Sequence, residues 1–305
     1  MKKKYVIVVL GPTASGKTRC AVRLAQKYNG EIISADSRQV YKNMNIGTGK
    51  DLDEYAISPA IRYHLIDIIN PTQDYSVFNF KKDFISSYRS IIKRKKVPIV
   101  CGGTGLYIKS IINDYNMPSV DPNHKLRAEL EKYTLNDLKQ KLIKLKPSIH
   151  NSTDLDTKKR VIRAIEIAYN GGNDVKESDT QDINFIVVGL EVNRKIVKKL
   201  ITNRLKERLK HGMIDEVKNL IDKYKLSYDR IDYFGLEYRF ISQYLQGNLD
   251  YNTMFQSLNS AIHRYAKRQM TFFRYMEKNG IEINWVRYDY KDELLKVVDN
   301  EISSI

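Results

Sequence analysis

The segment that most constrains the fold is Gly11–Thr18, which reads GPTASGKT and matches the pattern G-x-x-x-x-G-K-[ST]. An apolar run, Tyr5–Leu10, precedes it, and apolar residues at helical spacing follow it as far as Asn29-Gly30. A strand, a glycine turn and a helix in this order predict a phosphate-binding loop, whose backbone N–H groups face an anion. Lys17 adds a positive charge, and the Thr18 hydroxyl can bind Mg²⁺. An ordinary glycine-rich turn between strand and helix is the competing interpretation.

Composition describes a globular chain with a strong positive charge. With 305 residues, 42% of them hydrophobic, the chain can form one large domain or two moderate ones. A formal net charge of +16 favours a polyanionic partner such as nucleic acid, although a basic surface can also serve solubility alone. We find neither a signal peptide nor an apolar run that could span a bilayer, so we expect a soluble cytoplasmic protein.

The two cysteines, Cys20 and Cys101, do not have the spacing of a metal site or of a disulfide framework. One lies in the predicted helix after the phosphate loop and the other at the end of a predicted strand. Both are therefore expected in the core.

Alternating strand and helix signals predict a parallel sheet in the first part of the chain. Short apolar runs at 31–34, 64–69 and 97–101 are the expected strands after the first one. Asp36 follows the second strand, and the glycine turn 102–105 follows the fourth. Because parallel strands end at one edge of a sheet, we expect both features beside the phosphate loop. The predicted fold class is α/β, with a P-loop NTPase-like parallel sheet as its core.

Beyond residue 117 the sequence turns helical, and strand character returns at 185–192. We therefore predict three parts: 1–117 as the first part of the core, 118–183 as an inserted helical domain, and 184–305 as a largely helical return to the core. A helix in the insert brings together Lys159, Arg160 and Arg163 on the side opposite its apolar face. A long helix near 253–279 carries a basic stripe that includes Arg264, Lys267 and Arg268. For the shorter helix, a solvated basic face is the competing interpretation.

Taken alone, these residues favour P-loop phosphoryl transfer, with Asp36 as the base that accepts a hydroxyl proton. The competing interpretation makes Asp36 a helix cap or turn residue.

Seven short motifs occur in a fixed order along nearly the whole chain, and together they resemble a known family. They read GPTASGKT at 11–18, ISADSRQVY at 33–41, NIGT at 45–48, YHLID at 63–67, YS at 75–76, GGTGLY at 102–107 and AKRQMT at 266–271. The combination strongly resembles the tRNA dimethylallyltransferases, also called tRNA isopentenyltransferases or the IPP transferase family. The resemblance implies transfer of a dimethylallyl group from dimethylallyl diphosphate to N6 of adenosine 37 in the anticodon loop of tRNAs, with release of diphosphate. It also implies a P-loop fold with an inserted helical domain.

The same resemblance implies a role for individual residues. Asp36 is the general base, and Thr13 and Arg204 complete the catalytic set. The departing diphosphate is held by the phosphate loop, with Mg²⁺ on Thr18; the loop consists of Gly11, Pro12, Thr13, Ala14, Ser15, Gly16, Lys17 and Thr18. The implied tRNA contacts are Asp36, Ser37, Arg38, Gln39, Thr104, Lys125, Lys159, Arg160, Val161, Ile162 and Arg163, and the basic stripe of the long helix adds Arg264, Lys267 and Arg268 as expected phosphate contacts. By this resemblance the insert contacts RNA, and the helical part of 184–305 binds tRNA. We expect the protein to act as a monomer.

Three positions depart from the family pattern. Leu200 stands where an additional arginine is usual, and Leu236-Glu237 stands where tyrosine and a basic residue are usual. His263 replaces a usual threonine. The departures concern contacts with the anticodon stem and leave open a paralogue with altered RNA preference.

Two alternative functions remain at this point. A small-molecule or nucleoside kinase that uses ATP would explain Lys17 and Asp36 but not the excess of positive charge. A non-catalytic RNA-binding protein would explain the charge but not the phosphate loop.

Overall fold

The computed structural model describes residues 4–56, 59–114, 120, 123–146, 155–169, 180, 182–287 and 291–305. The chain divides into two compact units. The first comprises Met1–Asp114 and Asp179–Ile305, and the second comprises Tyr115–Ser178. The roles assigned to the three predicted parts stay a prediction.

The first unit is built on a parallel sheet that has six strands in the described part of the chain. They are β1 (Tyr5–Leu10), β2 (Gly30–Ser34), β3 (Tyr63–His64), β4 (Val97–Gly102), β5 (Asn184–Glu191) and β6 (Asn284–Arg287). Their spatial order is β3-β2-β4-β1-β5-β6, and all neighbours are parallel. Val8 of the central strand lies opposite Val100 on one side and Val187 on the other. The predicted α/β class with a parallel sheet is confirmed.

Helices cover both faces of the sheet. In chain order the described helices of both units are α1 (Lys17–Tyr28), α2 (Val77–Lys93), α3 (Gly105–Ile112), α4 (His124–Leu130), α5 (Leu135–Leu145), α6 (Lys158–Tyr169), α7 (Arg194–Lys210), α8 (Met213–Tyr224), α9 (Tyr228–Tyr233), α10 (Leu236–Leu245), α11 (Tyr251–Lys278) and α12 (Lys291–Ser304), of which α4, α5 and α6 belong to the second unit. Val6, Val8 and Leu10 of β1 point into the core shared with α2, α3 and α11. Ile7 and Val9 point the other way, into the core shared with α1 and α12. Among the described residues, none of these helices is both long and apolar enough to cross a membrane.

The predicted third strand, 64–69, is wrong in extent, since β3 covers only Tyr63–His64. Leu65 and Asp67 have φ angles of 62° and 57°, which turn the backbone out of the strand conformation. The Asp67 carboxylate accepts a hydrogen bond from the ammonium of Lys50, which is only 1% exposed. This ion pair fixes the turn after β3 against the loop that follows β2.

In the second unit, α4, α5 and α6 pack around Leu130, Leu138, Leu142, Val161, Ile162 and Ile165. The fully buried carboxylate of Glu166 accepts hydrogen bonds from Arg127, Arg163 and the backbone N–H of Asn123. Burial alone would raise the pKa of Glu166, but these donors outweigh it and lower the pKa to about 2. Glu166 therefore fixes α6 to the residues around α4.

Candidate functional site

A cavity of about 540 Å³ opens in the first unit at the carboxyl edge of the sheet. Its wall is formed by the phosphate loop, the turn 36–39 after β2, the loop 47–55, part of α7, residues 234–237 and part of α11. Parallel α/β sheets bind ligands at this edge, because the loops after several strands meet there.

The phosphate loop contributes Thr13, Ala14, Gly16, Lys17 and Thr18 to the wall, whereas Gly11, Pro12 and Ser15 are buried behind it. Ala14 and Gly16 have φ angles of 62° and 78°. Among the described residues, no side chain caps the N-terminus of α1, so its first N–H groups remain available to an anion.

Lys17 is the half-buried cation of this loop. Its ammonium donates to the carbonyl oxygen of Pro12 at 3.4 Å. Burial lowers the pKa of Lys17, and Arg204 lowers it further, whereas Asp36 and Asp51 oppose the shift. An anion bound in the loop would stabilise the charged form of Lys17.

Asp36 is held in a fixed turn. Its Oδ1 accepts from the Arg38 N–H at 2.8 Å, and the Ser37 N–H donates to the Thr104 hydroxyl oxygen at 3.1 Å. A Cβ on Gly102 would lie 2.2 Å from the carbonyl oxygen of Ala35, so glycine is needed where β4 passes this turn. The structure thus places Asp36 and Gly102 on the wall of the cavity that the phosphate loop also lines.

Arg204 reaches the cavity from α7 and forms an ion pair with Asp51. Nη2 of Arg208, one turn later, lies 3.7 Å from the same carboxylate. Burial and then the charge of Arg204 lower the pKa of Arg208 to about 10. A Cβ on Gly49 would lie 1.7 Å from Arg208 Nη2, so a side chain there would displace the end of this arginine. The sequence prediction missed Asp51 and Arg208; the i, i+4 arginine pair was the available signal.

Gln269 on α11 was also missed, although it lies inside the AKRQMT motif. Its side chain accepts from the Thr13 N–H at 2.8 Å and donates to the Gly103 carbonyl oxygen at 3.0 Å. It therefore connects the phosphate loop with the turn after β4.

Several of the implied tRNA contacts in the first unit lie at the cavity or near it. Ser37, Arg38 and Gln39 line the cavity, and the Arg38 guanidinium lies 5.1 Å from the ring centroid of Tyr233. The Gln39 amide is engaged within the protein, because it accepts from Ser34 and donates to the Gly49 carbonyl oxygen. Thr104 is engaged too, as the acceptor for Ser37. On α11, the side chains of Arg264, Lys267 and Arg268 are exposed.

In the second unit, Lys125, Lys159 and Arg160 are exposed. Arg163 is held by Glu166 and by the carbonyl oxygen of Val120. The tRNA contacts of Val161 and Ile162 stay a prediction. These side chains are 0% and 4% exposed and belong to the core that holds α6 in place.

Thr18 lies on the cavity wall, where its hydroxyl can bind a metal ion. Among the described residues there is no cluster of three or more His, Cys, Asp or Glu side chains that could hold a metal ion. Mg²⁺ usually keeps several waters and binds through one or two protein ligands together with phosphate oxygens. The donor set therefore fits Mg²⁺ that enters together with a diphosphate.

Comparison with known proteins gives the family. The sequence model described as IPP transferase matches residues 39–276, and the one described as Isopentenyl transferase matches residues 4–68. The chain is 49% identical to tRNA dimethylallyltransferase 1 of Azobacteroides pseudotrichonymphae genomovar. CFP2, over 94% of each chain. It is 47% identical to tRNA dimethylallyltransferase 1 of Syntrophus aciditrophicus (strain SB), over 99% of each.

A solved structure has a similar fold over nearly the whole chain. The full-length tRNA isopentenylpyrophosphate transferase from Bacillus halodurans matches with a TM-score of 0.72 and 31% identity, covering 99% of this chain and 98% of that one. The family match, the near full-length relatives and the shared fold agree. The chain belongs to the IPP transferase family.

Proposed function

We propose that this protein is a tRNA dimethylallyltransferase. It transfers the dimethylallyl group of dimethylallyl diphosphate to N6 of adenosine 37 in the anticodon loop of tRNAs and releases diphosphate. The observation that carries the proposal is that Asp36 and the phosphate loop line one cavity, in a chain of this family. The bond from N6 to the prenyl carbon forms, the carbon–oxygen bond to diphosphate breaks, and N6 loses one proton.

The phosphate loop holds the leaving group in this reaction. Negative charge grows on the diphosphate as the carbon–oxygen bond breaks, and positive groups close to it stabilise the transition state. Lys17 and the N–H groups at the start of α1 supply such stabilisation from one side. Arg204 on α7 also stabilises this charge, once its guanidinium has left Asp51 and bound the diphosphate.

Mg²⁺ fits this site together with its ligand. Thr18 would hold the ion, with diphosphate oxygens and water as the other ligands. When bound, the ion neutralises part of the diphosphate charge. Lys17 and the backbone N–H groups orient the diphosphate with or without it.

Asp36 orients the amine and receives the proton. A carboxylate is too weak a base to deprotonate a neutral aryl amine, so the proton leaves only as the new bond makes nitrogen acidic. Before that, a hydrogen bond from N6 to Asp36 fixes the direction of attack. The Arg38 N–H holds the carboxylate for this role.

The adenine must leave the stack of the anticodon loop to reach the cavity. Unstacking costs a few kcal/mol, which contacts with the rest of the tRNA have to offset. In the first unit, the exposed cations of α11 can contact phosphate groups of the tRNA. In the second unit, the exposed cations of α4 and α6 can do the same. We infer that the protein acts as a monomer, because one chain supplies all the cavity walls described above.

The test uses the purified protein with Mg²⁺, dimethylallyl diphosphate and an anticodon stem-loop that carries adenosine at positions 36 and 37. We expect one dimethylallyl group on adenosine 37, detected by mass spectrometry of the digested RNA. A stem-loop with guanosine at position 37 is the matched control and should stay unmodified. Turnover of ATP without prenyl transfer to any tRNA would contradict the proposal and favour a kinase.

A further inference from the structure

The side chain of Gln269 occupies a junction between two loops of the active-site cavity. It is 6% exposed and lies on the inner face of α11. The amide oxygen accepts from the Thr13 N–H and the amide nitrogen donates to the Gly103 carbonyl oxygen. A Cβ on Gly103 would lie 2.3 Å from Nε2, so the backbone there leaves space for this amide. One side chain thus satisfies a donor of one loop and an acceptor of another.

The connection continues from Gly103 to Asp36. The next residue, Thr104, donates its N–H to the carbonyl oxygen of Ala35 at 3.2 Å. Its hydroxyl oxygen accepts from the Ser37 N–H. Asp36 lies between these two anchored residues. Gln269 therefore joins the loop expected to hold the diphosphate to the turn that carries the expected base, through a short and continuous set of hydrogen bonds.

The chain is closely packed on both sides of this contact. A Cβ on Gly105 would lie 2.2 Å from the ring of Phe272, which shows how closely α11 approaches the start of α3. A Cβ on Gly11 would lie 2.8 Å from the Ser15 hydroxyl inside the phosphate loop. Each loop is thus compact, and Gln269 is a direct polar link between them.

We propose that Gln269 is a positioning residue that sets the distance between the phosphate loop and Asp36. This inference rests on the proposed function. The electrophilic carbon is attached to the diphosphate and N6 is bound to Asp36, so the separation of the two loops decides how closely the reacting atoms approach. A misplacement of about 1 Å costs about 10²-fold in rate.

Two variants test this role. Gln269→Leu keeps much of the volume but removes both hydrogen bonds. Gln269→Glu keeps an acceptor for Thr13, and its protonated form also restores a donor for Gly103. We expect kcat to fall by about 10²-fold in Q269L, with the KM for dimethylallyl diphosphate and the Kd for tRNA changed by less than about threefold. Gln256→Leu, at an exposed position of the same helix, is the matched control and should retain wild-type kcat.

The pH profile separates positioning from mere support of the fold. As the pH falls from about 8 to about 6, the kcat of Q269E relative to wild type should rise, because a growing fraction of the buried carboxyl group introduced in this variant would carry the proton it needs to donate. The same ratio for Q269L should stay constant. If Q269L is destabilised, its thermal unfolding midpoint falls. The test then rests on Q269E, whose kcat relative to wild type should rise as the pH falls.

The outcomes distinguish the inference from the proposed function. An inactive wild-type protein overturns the proposed function and the inference with it. An active wild type with an equally active Q269L overturns the inference alone. So does a loss in Q269L that lies entirely in the affinity for inorganic diphosphate, or a Q269E variant whose relative kcat does not change with pH.

Discussion

Arg204 and Asp51 form an ion pair on the wall of the cavity, so the arginine expected to contact the diphosphate already has an anionic partner. Both side chains are partly exposed, at 30% and 38%. An ion pair in such a position contributes at most about 1 kcal/mol, which a doubly charged ligand can exceed. Binding of diphosphate therefore involves an exchange of partners at Arg204.

Replacing Asp51 should strengthen diphosphate binding. In Asp51→Asn the arginine no longer has to leave a carboxylate, so we expect the affinity for inorganic diphosphate with Mg²⁺ to rise by up to about fivefold at low salt. Titration calorimetry measures this directly. Asp53→Asn, an exposed neighbour on the same loop, is the control. Weaker binding by D51N would mean that Asp51 holds Arg204 in its productive position.

Replacing Asp36 should abolish chemistry without affecting recognition of RNA. Asp36→Asn keeps an oxygen that accepts from the Arg38 N–H, so the turn is preserved while the proton acceptor is lost. We expect single-turnover prenyl transfer to fall by about 10²- to 10⁴-fold, with an unchanged Kd for the stem-loop. D53N again serves as the control. Equal losses in rate and in RNA affinity would assign Asp36 to binding alone.

The lowered pKa of Lys17 predicts a pH-dependent affinity for diphosphate. The ammonium is charged below its pKa, so binding is strong there and is lost as the pH rises through it. Because that pKa lies below the usual value of about 10.4, the loss should begin at lower pH than for a lysine in water. Calorimetric titrations over pH should show the decline in wild type but not in Lys17→Met. If the affinity for diphosphate declines in the same way in both proteins, Lys17 does not contribute to diphosphate binding.

The exposed cations of α11 should control the salt dependence of tRNA binding. Each lysine or arginine that neutralises a phosphate contributes about 0.7 to 0.9 to the slope of log K against log salt. Lys267→Gln and Arg268→Gln should each reduce that slope by about 1 and weaken the binding of all tRNAs to the same extent. Lys296→Gln on α12, which covers the other face of the sheet, should leave the slope unchanged.

Glu166 should stabilise α6 above acidic pH. Its folded pKa of about 2 lies below the unfolded value of about 4.3, so its contribution is present in full above the unfolded pKa and is lost as the pH falls towards 2. Glu166→Gln removes the anion that Arg127 and Arg163 bind and should cost about 1.5 to 3 kcal/mol at neutral pH. Hydrogen exchange of the α6 amides measures this, with the exposed Glu129→Gln as control. Equal protection in both variants would contradict the role.

Local patterns predicted much of the fold but not the internal contacts of the site. The run 97–101 indicated β4, found at Val97–Gly102, because alternation and burial are visible in neighbouring residues. The apolar run after His64 misled the prediction, since the buried Lys50 binds Asp67 in a turn that no local pattern indicates. Apolar periodicity does show that Val161 and Ile162 face a core.

The contacts made by Asp51 and Gln269 join distant parts of the chain. Asp51 pairs with a residue 153 positions away, and Gln269 bonds to one 256 positions away. Each of these side chains is chemically ordinary in its own segment, so its role becomes visible only when the sheet brings the segments together.

The central position of β1 also has a consequence for synthesis of the protein. β1 leaves the ribosome before its neighbours β4 and β5, which end only at Gly102 and Glu191. Pairing over such separations requires the closure of long loops, which slows folding, whereas α4, α5 and α6 depend on contacts closer in sequence. A nascent chain that stops before β5 lacks one of the two strands that flank β1, the strand that leads into the phosphate loop. The phosphate loop is thus synthesised well before the strands on both sides of β1 are complete.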